Sequence, residues 1–235
     1  MYYYNTPFRK MASRVVILLV ALFGVSLAQN QPWLQACDTV QLQTCQGQFN
    51  TKLGVDSSLG VTSFQALRTA VEQTFANGQA YGLLTTCEAY KEYQQCYTDT
   101  NFYSCAQNPF GLLAANGTTK FSRVQAYGYQ KIWNQLDFVC GAGFGLFANN
   151  ENCGSSVFAN NATALRQCDT DFETNVVLDQ SQTCAYVELA ATCYQRIFYD
   201  ACRRSEMGWW GCNYERTGTN LNYPQCTQLF CSFHS

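Results

Sequence analysis

Cysteine is the residue type whose number and spacing could do the most chemistry in this chain. Fourteen cysteines lie between positions 37 and 231, and two groups of three repeat a nine-residue spacing, over residues 87–105 and 184–202. Zinc sites use paired cysteines such as C-x2-C, or histidines, whereas this sequence has no C-x2-C pair and a single histidine, His234. A catalytic cysteine needs a base, which is usually histidine. The pattern therefore predicts no metal site, no cofactor site and no catalytic thiolate.

Residues 1–28 have the pattern of a signal peptide. Three basic residues precede the apolar run 15–25, and Ser-Leu-Ala at 26–28 is a small-x-small cleavage site. The apolar run is shorter than the roughly 20 residues that cross a bilayer. We expect a secreted, extracellular protein that begins near Gln29 and keeps no transmembrane anchor. Translation could begin at Met1 or at Met11.

An exported chain with an even number of cysteines predicts disulfides. We expect all fourteen to pair within the chain, with no connectivity assigned. A step of nine residues is about two and a half helical turns, so Cys193 should face away from Cys184 and Cys202 and bridge to a different element. The cysteines are Cys37, Cys45, Cys87, Cys96, Cys105, Cys140, Cys153, Cys168, Cys184, Cys193, Cys202, Cys212, Cys226 and Cys231.

Charge argues against a nucleic-acid partner. Removing residues 1–28 changes the formal net charge from −2 to −5, because three basic residues and no acidic ones are lost. Nucleic-acid-binding proteins normally carry a basic stripe, and the one basic doublet, Arg203-Arg204, lies between Asp200 and Glu206. Residues 29–235 are enough to form the hydrophobic core of a single domain. We predict that this domain has a core over 37–212 and a less regular tail over 213–235.

Apolar residues at three- and four-residue intervals predict an all-α fold. In 62–78, Thr62 and Gln65 have capping-box spacing and Asn77-Gly78 predicts a helix end. The first cysteine triplet should be helical to about Tyr97 and then turn. The predicted apolar faces are Trp33, Cys37, Val40, Cys45 and Phe49 after Pro32; Phe64, Leu67, Val71 and Phe75; Tyr129, Ile132, Trp133 and Leu136 within 122–139; Leu165, Cys168 and Phe172 within 162–176; and Val187, Ala190, Ala191, Tyr194, Ile197, Phe198 and Ala201.

Polar segments rich in glycine or asparagine predict loops at 105–120, at 141–156 and from Gly208 onward. Two N-x-T sequons make Asn116 and Asn161 candidate glycosylation sites in an exported chain. The second asparagine could instead be a helix N-cap.

The cysteine order, with the phrases LDFVCGAG and CAYVELAATCYQRIFYDAC, resembles the cysteine-rich helical domain of nematode secreted proteins, a domain of unknown function similar to the chondroitin proteoglycan 4 type. The resemblance covers most of the mature chain and implies a disulfide-stapled helical fold without active-site residues to carry over. Chondroitin is built on Ser-Gly sites, and this sequence has no Ser-Gly dipeptide. Binding within an extracellular or eggshell-like matrix stays open.

A glycine-rich segment and two acidic groups are weaker signals of a functional site. The sequence GAGFG at 141–145 lacks the preceding strand that a dinucleotide-binding turn requires. The acidic pair Glu88 and Glu92 and the acidic group Asp169, Asp171 and Glu173 could serve a carboxylate-dependent hydrolase, or could simply be solvated helix faces.

The adjacent Trp209 and Trp210, with Tyr214, could present flat rings to a sugar or lipid, or could cover the core beside Cys212. We expect a secreted, non-enzymatic protein that binds an extracellular protein or matrix component. A lipid- or carbohydrate-binding module is the alternative, and a carboxylate-dependent hydrolase is the third hypothesis.

Overall fold

The fold is all-α, as predicted. The computed structural model describes residues 35–115, 120–220, 222–226 and 230–232, and within them no strand occurs. A π-helical turn, Tyr103–Gln107, and three 3-10 turns, Val61–Ser63, Gln180–Gln182 and Pro224–Cys226, join the α-helices. The helices are α1 Thr39–Leu53, α2 Phe64–Cys96, α3 Asp99–Phe102, α4 Pro109–Leu113, α5 Arg123–Cys140, α6 Phe144–Asn149, α7 Glu151–Asn160, α8 Ala162–Leu178, α9 Thr183–Cys202 and α10 Ser205–Asn220.

Helix α1 begins later than the sequence indicated. The Asp38 carboxylate accepts hydrogen bonds from the amides of Val40 and Gln41 at 2.9 and 3.2 Å, and this cap sets the start at Thr39. The prediction that Val40 faces the core was wrong, because its side chain is 73% exposed. Pro32 and Trp33, also assigned to this helix from the sequence, lie outside the described residues.

Helix α2 is sharply bent where the sequence predicted a stop. The hydroxyls of Thr74 and Thr86 lie 2.7 Å apart, although twelve residues of straight helix rise about 18 Å. A Cβ at Gly82 would collide with the Thr74 carbonyl oxygen. The parts of α2 before and after the bend therefore contact each other closely at Gly82, where only a glycine fits. The predicted end at Asn77-Gly78 was therefore wrong in detail, because the helix turns there and continues to Cys96.

The predicted capping box between Thr62 and Gln65 was also wrong. The Ser63 hydroxyl instead accepts a hydrogen bond from the amide of Gly60 at 3.0 Å, and Ser63 precedes the first residue of α2. The prediction failed because a 3-10 turn, Val61–Ser63, shifts the start of the α-helix by one residue.

The described parts of all three predicted loops are largely helical. In the loop predicted at 105–120, the π-helical turn runs to Gln107 and α4, Pro109–Leu113, follows. Helices α6 and α7 occupy most of 141–156, and α10 runs through the segment from Gly208 to Asn220. The glycines there allow aromatic rings to approach the backbone: a Cβ at Gly154 would lie 2.6 Å from the Phe147 ring, and one at Gly211 would lie 2.5 Å from the Phe198 ring. These glycines serve packing rather than turns, which the sequence pattern could not distinguish.

All fourteen cysteines pair, and the two triplets use the same connectivity. In each triplet the first cysteine bonds to one further along the chain, the middle one to the nearer upstream cysteine, and the last one to the more distant upstream cysteine. Cys193 reaches α8, Cys184 reaches the 3-10 turn near the carboxyl terminus, and Cys202 reaches α7, so Cys193 bridges to a different element from Cys184 and Cys202, as predicted. The bonds are Cys37–Cys105, Cys45–Cys96, Cys87–Cys140, Cys153–Cys202, Cys168–Cys193, Cys184–Cys226 and Cys212–Cys231.

We call residues 37–140 the amino-terminal unit and 153–226 the carboxyl-terminal unit. The first unit centres on Trp133, which stacks on Tyr93 with the ring centroids 3.8 Å apart. The second centres on Trp210, which stacks on Tyr214 at 5.2 Å. Among the described helices, none combines the length and apolar character needed to cross a membrane.

Candidate functional site: a buried ion cluster beside an open cleft

The three acidic residues that were predicted as a group lie on different faces of α8. Asp169 points inward and is buried, whereas Asp171 and Glu173 are exposed on the surface. The predicted pair Glu88 and Glu92 also lies on the surface, where Glu92 contacts the Lys52 ammonium at 2.9 Å and Glu88 contacts it at 3.7 Å. The structure therefore retains one of these five carboxylates as an interior group.

Asp169 belongs to a cluster of six charged side chains from both units, which we call the ion cluster. Four helices supply its members. Both oxygens of Asp169 are engaged: Oδ1 lies 2.9 Å from Lys131 Nζ and Oδ2 lies 3.0 Å from Arg68 Nη1. The three cations are Arg68, Lys131 and Arg166, and the three carboxylates are Glu72, Asp169 and Glu215.

Glu215 and Glu72 complete the charge balance. Lys131 Nζ lies 2.6 Å from Glu215 Oε1, and this carboxylate is fully buried. Glu72 Oε1 contacts Arg68 Nε at 3.2 Å and Arg166 Nη2 at 2.9 Å. A buried charge is tolerated when it is paired and hydrogen-bonded, and three cations here neutralise three anions.

Two tyrosines extend the ion cluster with hydroxyl groups. The Tyr194 hydroxyl donates to Asp169 Oδ2 at 3.1 Å and accepts from Arg68 Nη2 at 2.8 Å and Arg166 Nη2 at 3.0 Å. The Tyr214 hydroxyl donates to Glu72 Oε1 at 3.1 Å. Tyr194 lies directly after Cys193, so the disulfide to Cys168 holds α8 and α9 beside this network.

Burial and charge shift the two interior carboxylates in opposite directions. Burial opposes the charged form of Asp169, but Arg68, Lys131 and Arg166 outweigh it and hold its pKa well below the usual range. For Glu215, burial is the larger effect and raises its pKa, although Lys131 favours the charged form. Burial also raises the pKa values of Tyr194 and Tyr214 well above their usual range, which keeps both hydroxyls protonated as donors.

An open cleft of about 440 Å³ adjoins the ion cluster between α2, α7 and α8. Glu72 and Arg166 belong to both, so the cleft meets the ion cluster at this charged pair. The volume falls within the range of ligand pockets, about 300–1,000 Å³. The lining residues are Thr69, Glu72, Gln73, Ala76, Asn77, Phe158, Ala159, Ala162, Thr163 and Arg166.

The predicted aromatic platform is instead part of the core. Trp210 and Tyr214 are buried, and the indole nitrogen of Trp210 donates to the carbonyl of Gly143 at 2.9 Å. Trp209 is half-buried with its ring 6.2 Å from that of Phe138. Helix α10 therefore directs the tryptophan rings toward α5 and α6 and the Tyr214 ring toward α7 and α9, and the ligand-contact interpretation of Trp210 and Tyr214 was wrong.

A second cleft of about 380 Å³ lies at the start of α1. Its inner wall includes Gln46 and Tyr129, whose hydroxyl donates to the Gln46 carbonyl at 2.5 Å. Gln46 in turn donates to Asn50 Oδ1 at 2.7 Å. These polar groups already satisfy one another, and the lining of this cleft has no charged side chain, whereas Glu72 and Arg166 line the other cleft.

The remaining predicted sites divide between described and undescribed residues. Asn161 lies between α7 and α8, is half-buried, and makes no capping hydrogen bond through its side chain. Asn116 and His234 lie outside the described residues. Residues 141–143 form a short turn before α6, in keeping with a loop rather than a dinucleotide-binding turn. Within the described part of the chain, no group of three or more histidine, cysteine, aspartate and glutamate side chains is arranged so that it could hold a metal ion.

The chain matches no model of a known protein family, no curated protein and no solved structure. The resemblance to the nematode cysteine-rich domain therefore stays a prediction. The site has to be interpreted from its own geometry.

Sequence reasoning missed five of the six members of the ion cluster. A weak signal was present: Arg68 and Glu72 each directly follow a residue of the apolar stripe, Leu67 and Val71. Charged residues at such positions lie at the border of the buried face. The pattern could not reveal that Lys131 and Glu215, far away in the chain, complete the network.

Proposed function

We propose that the protein acts outside the cell as a non-enzymatic binding protein held rigid by its disulfides. The observation that carries the proposal is the pairing of all fourteen cysteines. Disulfide frameworks of this density form and persist in oxidising compartments. The predicted signal peptide at 1–28 supports the same location.

The ion cluster supports binding over hydrolysis. Each of its carboxylates already contacts a cation: Glu72 at 2.9 Å, Asp169 at 2.9 Å and Glu215 at 2.6 Å. A catalytic carboxylate must reach the substrate to transfer a proton or attack it. Asp169 and Glu215 are buried and do not line the cleft.

The cleft at Arg166 is the proposed binding site, and its lining favours a saccharide over a lipid. Hydroxyl, amide and charged groups from α2 and α8 face small apolar residues of α7 and α8. A lipid carrier would need an enclosed apolar cavity. A saccharide, whether in the extracellular matrix or on a glycoprotein partner, offers hydroxyls to these polar groups and an apolar ring face to the exposed alanines, Ala159 and Ala162.

A matched pair of variants tests the proposal. The full chain carrying Asn161→Gln, which leaves no attached glycan beside the cleft, is secreted from eukaryotic cells, screened against immobilised mono- and oligosaccharides and titrated with those that bind. Ala159→Trp fills the cleft and should abolish binding, whereas Ala164→Trp, on an exposed position of α8 outside the cleft, should not. Retained binding by the Ala159 variant would contradict the site. Hydrolysis of a bound saccharide that disappears in Glu72→Gln would instead make the protein an enzyme.

A further inference from the structure

The candidate glycosylation site Asn161 stands at the edge of the same cleft. Ala159 precedes it by two residues, and Ala162 and Thr163 follow it; all three line the cleft. Thr163 is therefore both the sequon threonine and a wall of the cleft. The Asn161 side chain makes no capping hydrogen bond to α8, so its carboxamide is not engaged in holding the helix start.

The cleft also has the chemistry that an N-acetylglucosamine unit requires. The amides of Gln73 and Asn77 and the hydroxyl of Thr69 offer donors and acceptors on α2. Glu72 and Arg166 are charged but paired with each other at 2.9 Å, so the wall carries no net charge that would require an ionic ligand. An apolar surface from Ala159 and Ala162 completes the lining.

We propose that the cleft holds the inner N-acetylglucosamine units of a glycan attached to Asn161, so that glycosylation closes the cleft to outside saccharides. The inference rests on the extracellular location proposed above. A tether of one or two sugar units makes binding intramolecular, with an effective concentration on the order of millimolar. A sugar affinity too weak to hold a free ligand therefore suffices to keep the attached one in place.

The rate at which a glycosidase removes the glycan from the folded protein shows whether the cleft holds that glycan. The full chain is secreted from eukaryotic cells, glycan occupancy at Asn116 and Asn161 is measured by mass spectrometry, and peptide N-glycosidase is applied to the folded protein. Filling the cleft with Ala159→Trp should displace the glycan and speed its release from Asn161 by about tenfold, which corresponds to about 1.4 kcal/mol of sugar binding. Ala164→Trp should leave the slow release unchanged, and neither variant should change release from Asn116.

A second measurement does not depend on the Ala159 variant. Chitobiose should bind Asn161→Gln, whose cleft is open, more tightly than it binds Asn116→Gln, which retains the glycan at Asn161. Chitobiose binding to both variants with equal affinity, or a release rate at Asn161 that Ala159→Trp leaves unchanged, would overturn the inference. Slow release at Asn161 that Ala159→Trp relieves, without chitobiose binding to either variant, would uphold the occupied cleft and contradict saccharide binding as the function.

Glycan occupancy separates the remaining outcomes. A glycan at Asn116 without one at Asn161 would show export and overturn the inference alone. The absence of both glycans from the secreted chain would also overturn the inference alone, whereas failure of the chain to reach the medium would overturn the extracellular location as well.

Discussion

The amino-terminal unit buries a stack of rings at its centre, whereas the rings of the carboxyl-terminal unit lie beside the ion cluster, to which each unit contributes three charged side chains. In the first, Trp133 lies against Tyr93, and the hydroxyls of Tyr93, Tyr97 and Tyr129 form a hydrogen-bonded chain with oxygen distances of 2.8 and 2.9 Å. In the second, the Tyr194 hydroxyl contacts Asp169 and two arginines. The three equivalent disulfides surround both interiors.

The comparison teaches that the disulfide topology does not dictate what is buried. A disulfide acts mainly by restricting the unfolded chain, so it stabilises a neutral interior and a charged one alike. Substitutions that remove one polar partner should nevertheless lower the free energy of unfolding by different amounts in the two interiors, because an unpaired buried charge is far more destabilising than an unpaired hydroxyl. The predictions below test this difference between the units.

The largest effect is expected from breaking the ion cluster. Lys131→Met leaves Glu215 and Asp169 without their closest cation and should lower the free energy of unfolding by about 3–5 kcal/mol. Lys131→Met combined with Glu215→Leu removes one charge of each sign and should recover most of that loss. Denaturant unfolding of the three proteins measures both values. A double variant as unstable as the single one would show that neutrality is not what stabilises the cluster.

Acid should weaken the same cluster without a substitution. The pKa of Asp169 is lower in the folded protein than in the unfolded chain, so its contribution to stability is present above pH 4 or so and is lost as the pH falls toward the folded value. Glu215 acts in the opposite direction, because its pKa is raised. The slope of unfolding free energy against pH between about 5 and 2 should therefore become shallower in Asp169→Asn. An unchanged slope would assign the acid response to other carboxylates.

Removing the middle disulfide of each unit should cost similar amounts. The loop-entropy relation gives about 4 kcal/mol for Cys45–Cys96 and about 3.5 kcal/mol for Cys168–Cys193, whose sequence separations are 51 and 25. Each pair has one buried and one half-buried cysteine, so paired alanine substitutions leave comparable gaps. Thermal and denaturant unfolding of the two variants tests the equivalence. A much larger loss for the shorter loop would indicate that Cys168–Cys193 also positions the ion cluster.

Removing one tyrosine hydroxyl from each network should lower the free energy of unfolding more in the charged network than in the neutral one. Tyr93→Phe removes hydrogen bonds between tyrosines and should cost about 1 kcal/mol, whereas Tyr194→Phe removes bonds to charged groups and should cost about 1.5–3 kcal/mol. Both side chains are fully buried, so the loss of packing is the same. Equal losses in denaturant unfolding would remove the distinction between the units.

The smallest effect concerns how the two triplet helices end. Helix α2 stops at Cys96 and Tyr97 is extended, whereas α9 continues to Cys202 and ends at Arg203 in the left-handed region, with φ 53°. That conformation costs an L-residue about 1–2 kcal/mol, and glycine's extra flexibility offsets part of the relief. Arg203→Gly should raise the unfolding free energy by about 0.5–1 kcal/mol. The control Arg204→Gly, which relieves no positive φ, should bring no gain.

Local pattern was enough to predict the class of fold and most of the helices. The nine-residue spacing predicted that Cys193 bridges to a different element from Cys184 and Cys202, because helix geometry alone determines which face each cysteine occupies. The faces of α5 and α8 followed from apolar periodicity, and Leu165 and Trp133 are buried as expected. The cysteine count predicted the disulfides, because pairing depends on compartment and number.

The arrangement of the site was decided only by tertiary contacts. Asp169 and Asp171 are two residues apart, yet one joins the ion cluster and the other remains at the surface, because α8 turns a single side of its helix toward Arg68 and Lys131. The sequence predicted Gly154 and Gly211 as loop residues, whereas in the structure they lie in helices and give the rings of Phe147 and Phe198 room to pack against the backbone. Sequence alone determined which residues could be buried, because burial follows periodicity. Which charges met inside depended on contacts between helices distant in the chain, which no local spacing records.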